Sequence, residues 1–391
     1  MITYEDAVEI IKSNYMLLGA ERTDLKECTG CILREDIFSD MDMPPFDKSA
    51  MDGYACRRED ISGELEIIEI IPAGYIPKKS IGKNQCAKIM TGAMIPQGAD
   101  CVIIVEDTAA ASTGKIKFLK DKTADNTCLK GEDVSKGEKL LSSGTRITAK
   151  EIASLALSGN VNPLVSIQPQ IGIIATGDEI VEPYITPGLS QIRNTNSYLL
   201  MAQCLDFGVI PNYYGIVPDT NEAIAEVIVK AKEENDLILL TGGVSMGDFD
   251  LVPALLKEKG FNILFDKVAI QPGKPTIFGR DGNKFVFGMP GNPVSSFIAF
   301  EFFVKEFLAF SMGLLNYKKE VFAPLANDYH RKRDTRLARI PVRFTPEGEA
   351  EIIEYHGSAH INSLASADGI ISIPIGCNEL KKGSIVNVRQ L

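Results

Sequence analysis

Five segments bring together acids, lysines, glycines and prolines in a pattern that could do chemistry. They are Ala175-Thr176-Gly177-Asp178-Glu179, Val217-Pro218-Asp219-Thr220, Thr241-Gly242-Gly243-Val244-Ser245-Met246-Gly247-Asp248-Phe249-Asp250, Gln271-Pro272-Gly273-Lys274-Pro275 and Met289-Pro290-Gly291-Asn292-Pro293-Val294-Ser295-Ser296. Asp178, Glu179, Asp219, Asp248 and Asp250 offer oxygens suited to a hard cation such as Mg²⁺. Lys267 and Lys274 offer positive charge for a phosphate or another oxyanion. The turn at Asn292 opens an expected helix, whose N-terminus favours anions. Glycine and proline let backbone N–H groups approach a ligand. Carboxylates, a lysine and a helix N-terminus together are what a Mg²⁺-dependent phosphate-bond site needs. The plainer reading is a set of helix caps and turns. Asp219, for one, could simply precede a Thr220 cap.

Other motifs are weaker singly. Phe46-Asp47-Lys48-Ser49-Ala50-Met51-Asp52-Gly53-Tyr54 contains an Asp-Gly turn, and Asp-Gly is a common turn former. Met90-Thr91-Gly92-Ala93 and Gly131-Glu132-Asp133 are further turns. Gly243-Val244-Ser245-Met246-Gly247 matches the G-x-S-x-G nucleophile elbow of serine hydrolases. An elbow needs its helix to start at the serine, whereas this loop runs on through Asp248-Phe249-Asp250. The histidines that could complete such a triad (His330, His356 and His360) all lie in the tail. The run His330-Arg331-Lys332-Arg333 reads as a solvated face. Arg339 and Arg343 share one face of an expected strand, and an arginine there could hold an oxyanion bidentately.

The elements that must position these residues follow from periodicity. Thr3 caps a first helix with Asp6 three residues on. Val8, Ile11, Tyr15 and Leu18 continue it at helical spacing, and Gly19 would end it. Short β-rich runs alternate with turns from 46 to 139 (Leu65–Ile71, Cys86–Met90, Cys101–Val105, Lys115–Leu119). Thr148 to Leu157 is helical again, so the β module interrupts a helical piece spanning 1–45 and 140–167. Between 168 and 315 apolar strands alternate with helices, which implies a parallel sheet covered on both faces. Ligands bind beyond the carboxyl ends of such strands, and there the five segments should lie. Strands return over 320–391 as a small β-barrel.

Composition bounds the rest. The 391 residues carry 41 Lys and Arg against 52 Asp and Glu, a formal charge of −11. That balance argues against a nucleic-acid or anionic-membrane binder. No uninterrupted apolar span of about 20 residues is present, and the acidic start has no secretory character. Eight scattered cysteines read as reduced thiols in a cytoplasm. Cys28 and Cys31 have CxxC spacing without further ligands nearby.

Taken in order, the motifs Ser49–Ala55, Ile89–Ala93, Gly131–Asp133, Thr176–Glu179, Asn194–Asn196, Thr241–Ser245, Pro272–Pro275 and Pro290–Ser295 closely resemble the MoeA family of molybdopterin molybdenumtransferases, related to the gephyrin E domain. The resemblance covers essentially the whole chain. It implies a multidomain α/β-plus-β fold: a MogA-like three-layer α/β domain, a β-rich insertion, a helical linker segment and a C-terminal β-barrel. It implies a cytoplasmic homodimer whose cleft joins the α/β domain of one subunit to the β insertion of the other. The implied reaction is Mg²⁺-dependent insertion of molybdate into adenylylated molybdopterin with release of AMP, and a MogA-like adenylyltransferase is the implied partner.

Carried over by residue, the resemblance makes Asp52, Asp133, Glu179, Asp219, Asp250, Lys267 and Lys274 catalytic. Asp219, Asp250 and Glu179 would hold the metal. Thr91, Thr176, Gly177, Asp178, Asn196, Gly242, Gly243, Ser245, Pro275, Pro290, Asn292, Ser295, Arg339 and Ser358 would bind substrate. Three positions depart from the family's habit: Gln271 stands where a lysine is frequent, Asp334 where an arginine is usual and Leu337 where an aromatic is usual. Two other readings stand beside this one. One is a non-catalytic pterin-binding scaffold on the same fold, the other a serine hydrolase using Ser245.

Overall fold

A computed structural model describes residues 1–243, 251–353 and 361–391. Ser245, Asp248, Asp250, His356, Ser358 and His360 therefore lie outside the described residues. Those described form two compact units: Asp36–Ser142 with Ala149–Asn162, and Met1–Glu35, Ser143–Thr148 and Pro163–Leu391.

The smaller unit is built on a six-stranded sheet. In spatial order its strands are Cys101–Ile104, Gly53–Cys56, Gln85–Ile89, Glu64–Ile71, Lys115–Phe118 and Thr108–Ala110. All four β-rich runs expected from sequence are strands. The Glu64–Ile71 and Gln85–Ile89 pair runs parallel and the other pairs antiparallel. Gly53 is required at its position, because a Cβ there would meet the Ile103 carbonyl oxygen at 2.1 Å. The unit also takes in the helix Ala149–Leu157, so it is wider than the span 46–139.

In the larger unit the first helix runs Tyr4–Ser13 with the expected capping box, Thr3 accepting from the Asp6 N–H and Asp6 from the Thr3 N–H. It stops before Tyr15 and Leu18, shorter than the apolar spacing suggests. Asn14 closes it: its backbone N–H bonds the Ile11 carbonyl, and its side chain donates to the Ile10 carbonyl and accepts from Arg280. Side-chain bonds of this kind compete with helix continuation.

The main sheet has the order Pro211–Val217, Ile171–Thr176, Leu237–Thr241, Lys284–Met289, Ile277–Asp281, Asn262–Phe265. The first four strands are parallel, as expected. The last two run antiparallel, a hairpin and edge strand that the alternating strand–helix rhythm did not announce. Helices Asn196–Phe207 and Asn221–Glu234 connect parallel strands, and Val252–Glu258 leads to the edge strand Asn262–Phe265. The apolar helix expected over Val294–Phe310 spans Pro293–Met312, with a π-helical turn at Phe300–Val304. Phe278, Phe287 and Phe307 are fully buried between sheet and helix, with ring centroids 4.7 to 5.9 Å apart.

The C-terminal strands Glu320–Pro324, Ile385–Gln390, Gly369–Ile373, Leu337–Phe344 and Ala350–Ile352 pair in that order. A bridge from Leu325 to Ala350 brings the ladder round on itself, giving the small barrel expected. Ala338, Ile340, Val342, Ile371 and Val388 fill it. One strand is unexpected: Ile270–Gln271, from the middle of the chain, pairs with Leu337–Ala338. No helix among the described residues is long and apolar enough to cross a membrane.

Candidate active site

The register of the parallel strands sets where their loops emerge. Thr176 lies opposite Val217, Ala175 opposite Thr241, and Thr241 opposite Met289. The four strands thus end level, and the loops at 177–179, 218–220, 242–243 and 290–292 share one edge. The fifth segment reaches the same edge by another route. Ile277–Asp281 runs antiparallel and begins at Ile277, opposite Gly288, so the turn before it lies beside the end of Lys284–Met289. A Cβ on Gly273 would stand 3.6 Å from the Ser295 carbonyl, which places this turn against the start of the Pro293 helix. The Val268 N–H donates to the Lys274 carbonyl at 3.0 Å. Lys267 and Lys274 therefore flank the base of one closed loop.

Three acids gather on this edge. The Asp219 N–H donates to Asp178 Oδ1 at 3.1 Å. Asp219 is solvent-facing as a residue, yet its carboxyl is held above the usual aspartate range. Burial of the carboxyl is the first cause, and the charges of Asp178 and Glu179 add to it, against a smaller opposing effect of the Thr176 hydroxyl. A carboxylate destabilised by like charges gains from a cation. Oxygen donors of this kind fit Mg²⁺ better than a softer metal. Among the described residues no three acidic, histidine or cysteine side chains are grouped closely enough to hold a metal by themselves.

Gly242 and Gly243 take positive φ, +97° and +58°. A Cβ on Gly242 would meet the Thr176 carbonyl at 2.1 Å, so only glycine lets this loop pass over the neighbouring strand. Asn196, at the start of its helix, donates to Thr241 Oγ1 at 2.9 Å and to the Gly291 carbonyl at 2.8 Å. It thereby ties three loops together. Its Oδ1 is buried without a partner, as is the hydroxyl of Ser296. Ser295 is itself 4% exposed. Buried orphan polar atoms mark sites that expect a polar ligand or water.

A second layer that sequence reasoning missed holds this wall. Asn194, which is buried, accepts from the Ser197 N–H and donates to Tyr213. Tyr213 donates to Glu182 at 2.7 Å, as does Tyr198 at 3.0 Å. Burial, then the bond to Glu182, pushes the Tyr213 phenol well above its ordinary range. The signal was present only as the Asn194-Thr195-Asn196 motif, because the tyrosine is separated from it by a whole helix.

Arg339 takes another place. It is 5% exposed, and its guanidinium carbon lies 3.9 Å from the Phe302 ring centroid and 4.3 Å from that of Tyr4. The guanidinium stacks on these rings and bonds Ser372, while its Nε is buried without a partner. Within the described residues Arg339 belongs to the packing between barrel and helices. Arg343 pairs with Glu351.

In the smaller unit Asp52 Oδ1 accepts from the Thr91 N–H at 2.6 Å and the Thr91 hydroxyl at 2.9 Å. The antiparallel pairing of Gly53 with Ile89 sets these two turns side by side. The Thr91 backbone, then its hydroxyl, holds the Asp52 carboxyl below the usual range. Asp133 is exposed in a separate turn, its N–H bonded to the Met43 carbonyl.

Level loop ends on a parallel sheet, an acid cluster on that edge, a lysine-flanked turn further along it and a loop that tolerates only glycine fit an α/β enzyme for an anionic ligand. Comparison with known proteins narrows this. Residues 2–159 match the MoeA N-terminal region (domain I and II), 172–309 a probable molybdopterin binding domain, and 323–391 the MoeA C-terminal region (domain IV). The molybdopterin molybdenumtransferase of Staphylococcus epidermidis is 36% identical over 99% of this chain and 95% of its own length. That of Bacillus subtilis is also 36% identical, over 91% and 86%. The crystal structure of the molybdopterin biosynthesis MoeA protein from Pyrococcus horikoshii OT3 superposes with a TM-score of 0.84 at 33% identity, covering 100% of both chains. The chain belongs to the MoeA family.

Proposed function

We propose that this protein is a molybdopterin molybdenumtransferase acting in molybdenum cofactor biosynthesis. It inserts molybdate into adenylylated molybdopterin in a Mg²⁺-dependent reaction that releases AMP. The family and the names of near full-length relatives support the transferase; the acid cluster at Asp178, Glu179 and Asp219 supports the chemistry. In the hydrolytic step water adds to the adenylyl phosphorus. The bond from that phosphorus to the oxygen of the pterin phosphate breaks, and AMP departs. Asp219 has a raised affinity for protons in the metal-free protein; with Mg²⁺ bound its carboxylate would hold the metal, and the metal would supply the activation of water.

Asp219 and Glu179, with Asp250, would hold Mg²⁺, which when bound neutralises phosphate charge. Lys267 and Lys274 supply further positive charge at the flanks of their loop. Molybdate is the cargo and enters as substrate. The orphaned groups of Asn196 and Ser296 give the pterin end polar partners. The eight free cysteines fit a reducing cytoplasm, and the dithiolene arrives on the substrate. A homodimer, supplied with adenylylated pterin by a MogA-like enzyme, completes the reading.

The test is direct. Purified protein with adenylylated molybdopterin, molybdate and MgCl₂ should release AMP and yield metal-loaded cofactor, and EDTA should stop both. Pterin binding without AMP release would instead identify a non-catalytic scaffold.

A further inference from the structure

Three thiols that the proposed reaction does not use lie in a row across the sheet of the smaller unit. Cys56 stands directly opposite Cys101 on one neighbouring strand and directly opposite Cys86 on the other. All three are fully buried on one face of the sheet, in the core that holds Leu65, Ile103 and Phe118. The Cys56 and Cys101 sulfurs are 3.8 Å apart. Opposite residues of an antiparallel pair have Cα atoms about 4.5–5.5 Å apart. A disulfide spans about 4.4–6.8 Å between Cα atoms, so the ladder already holds this pair at bridging distance.

The thiols differ in reactivity. The Cys56 thiol, donating to Cys101, draws the Cys101 thiol below its ordinary range against the effect of burial. Burial pushes the Cys86 thiol up to about 12. The thiolate is the form an oxidant attacks, which favours Cys101 over Cys86.

Access comes from the sheet's edge. Cys101–Ile104 is the outermost strand, and the segment 123–126 covers it. The Val102 N–H donates to the Asp125 carbonyl at 2.9 Å, and Asn126 donates to the Val102 carbonyl at 2.7 Å. Arg58 clasps the segment, donating to the Thr123 carbonyl at 2.6 Å and pairing with Asp125. The Asp125 side chain is 77% exposed, and exposed ion pairs are weak. Segments held by few, solvent-facing bonds open without global unfolding.

We propose that Cys56 and Cys101 form a reversible disulfide when a hydroperoxide reaches them through local opening of the 123–126 segment. The Cys101 thiolate attacks one peroxide oxygen, the O–O bond breaks, and an alcohol (water, from hydrogen peroxide) leaves a sulfenic acid behind. The Cys56 thiol attacks that sulfur, the S–O bond breaks, and water leaves. The two thiols give up two electrons and two protons, and the peroxide takes both up. A small thiol reverses the bond by exchange. The link staples an edge strand to its neighbour, and it does not depend on the transferase reading.

Peptide mapping of the full chain tests this. The folded chain is treated with hydrogen peroxide, its remaining thiols are alkylated, and the digest is read by mass spectrometry. A peptide pair joining Cys56 to Cys101 should appear, lighter by two hydrogens and released by dithiothreitol. It should persist in Cys86→Ser and form several-fold faster in Asp125→Asn, which loosens the clasp. The proposal fails when Cys56 and Cys101 stay reduced or oxidise singly, or when Cys86 takes the place of either. It fails equally when the link forms only in denaturant that unfolds the chain, or when Asp125→Asn leaves its rate unchanged.

Discussion

Asp219 is where two opposing demands meet. Its carboxyl is disfavoured as an anion by burial and by Asp178 and Glu179, and the same crowding makes it a receptor for a cation or a proton. Asp219→Asn should lower AMP release by about 10²-fold or more, measured at saturating Mg²⁺. The pH dependence has a defined sign. In the metal-free protein the folded state binds this proton more readily than the unfolded chain, whose carboxyl titrates at the ordinary 3.8. Stability from this group therefore rises as pH falls through the folded value and is complete below the unfolded one. Thermal melts across acid pH should show that rise in the parent and a flatter profile in Asp219→Asn.

Asp52 behaves oppositely, because Thr91 stabilises its charged form. Its contribution is present above the ordinary aspartate value and disappears as pH falls through the depressed one. Thr91→Val removes the hydroxyl donor and keeps the backbone donor, so a carboxyl NMR titration should show Asp52 moving up towards the ordinary value. An unmoved titration would show that the backbone N–H alone sets it.

At the scale of elements, the loop after Leu237–Thr241 has no room for a side chain. Gly242→Ala puts a Cβ at 2.1 Å from the Thr176 carbonyl, with φ at +97°. Strain at such a residue costs about 1–3 kcal/mol, and the clash adds to it. A lowered melting temperature together with weaker pterin binding is expected, since the wall under Asn196 must shift.

Much of this architecture was legible. The Thr3–Asp6 capping box, the Thr220 cap, the four parallel strands and the β-rich runs all follow from local spacing. What was not legible depended on partners remote in sequence. The first helix ends early because Arg280 and two carbonyls engage Asn14. Cys56, Cys86 and Cys101 look scattered, yet they lie side by side on three neighbouring strands, with the Cys56 and Cys101 sulfurs 3.8 Å apart. Arg339 has the right residue type and strand for an oxyanion contact, and only the tertiary fold reveals Tyr4 and Phe302 waiting to stack on it. The acid cluster was readable because glycine and proline punctuate its loops. The Glu182–Tyr213–Asn194 chain was not, because nothing in its spacing sets it apart from ordinary surface residues.

At the scale of the whole molecule, buried charge joins the barrel to the α/β core within the larger unit. Glu306 is 1% exposed, with Lys318 at 2.7 Å and Arg389 at 3.6 Å. Arg389 also stacks on Phe302 at 4.6 Å. Glu306→Ala strands the buried Arg389 guanidinium, while Lys318 can turn to solvent, and should cost about 3–5 kcal/mol, read from denaturant melts. Replacing Arg389 by leucine in the same chain should recover part of that loss. The homodimer reading has its own test. Asp52→Ala and Asp219→Ala chains, each inactive alone, should regain measurable AMP release after mixing and subunit exchange. Persistent inactivity of the mixture would show that the acids act within one chain.

The loop from Lys267 to Lys274 is fastened from both directions. Ile2 pairs with the backbone at Lys267 and Ala269, while Ile270 and Gln271 pair with Leu337 and Ala338. During synthesis the loop leaves the ribosome well before the strand that completes it. A nascent chain thus carries its two lysines unset until the barrel has emerged. A chain stopped before Leu337 would lose the Ile270–Gln271 pairing and keep, of the two fastenings, only the loop's bonds to Ile2. The barrel strand thus acts as a brace on a loop that lies more than sixty residues before it in the chain.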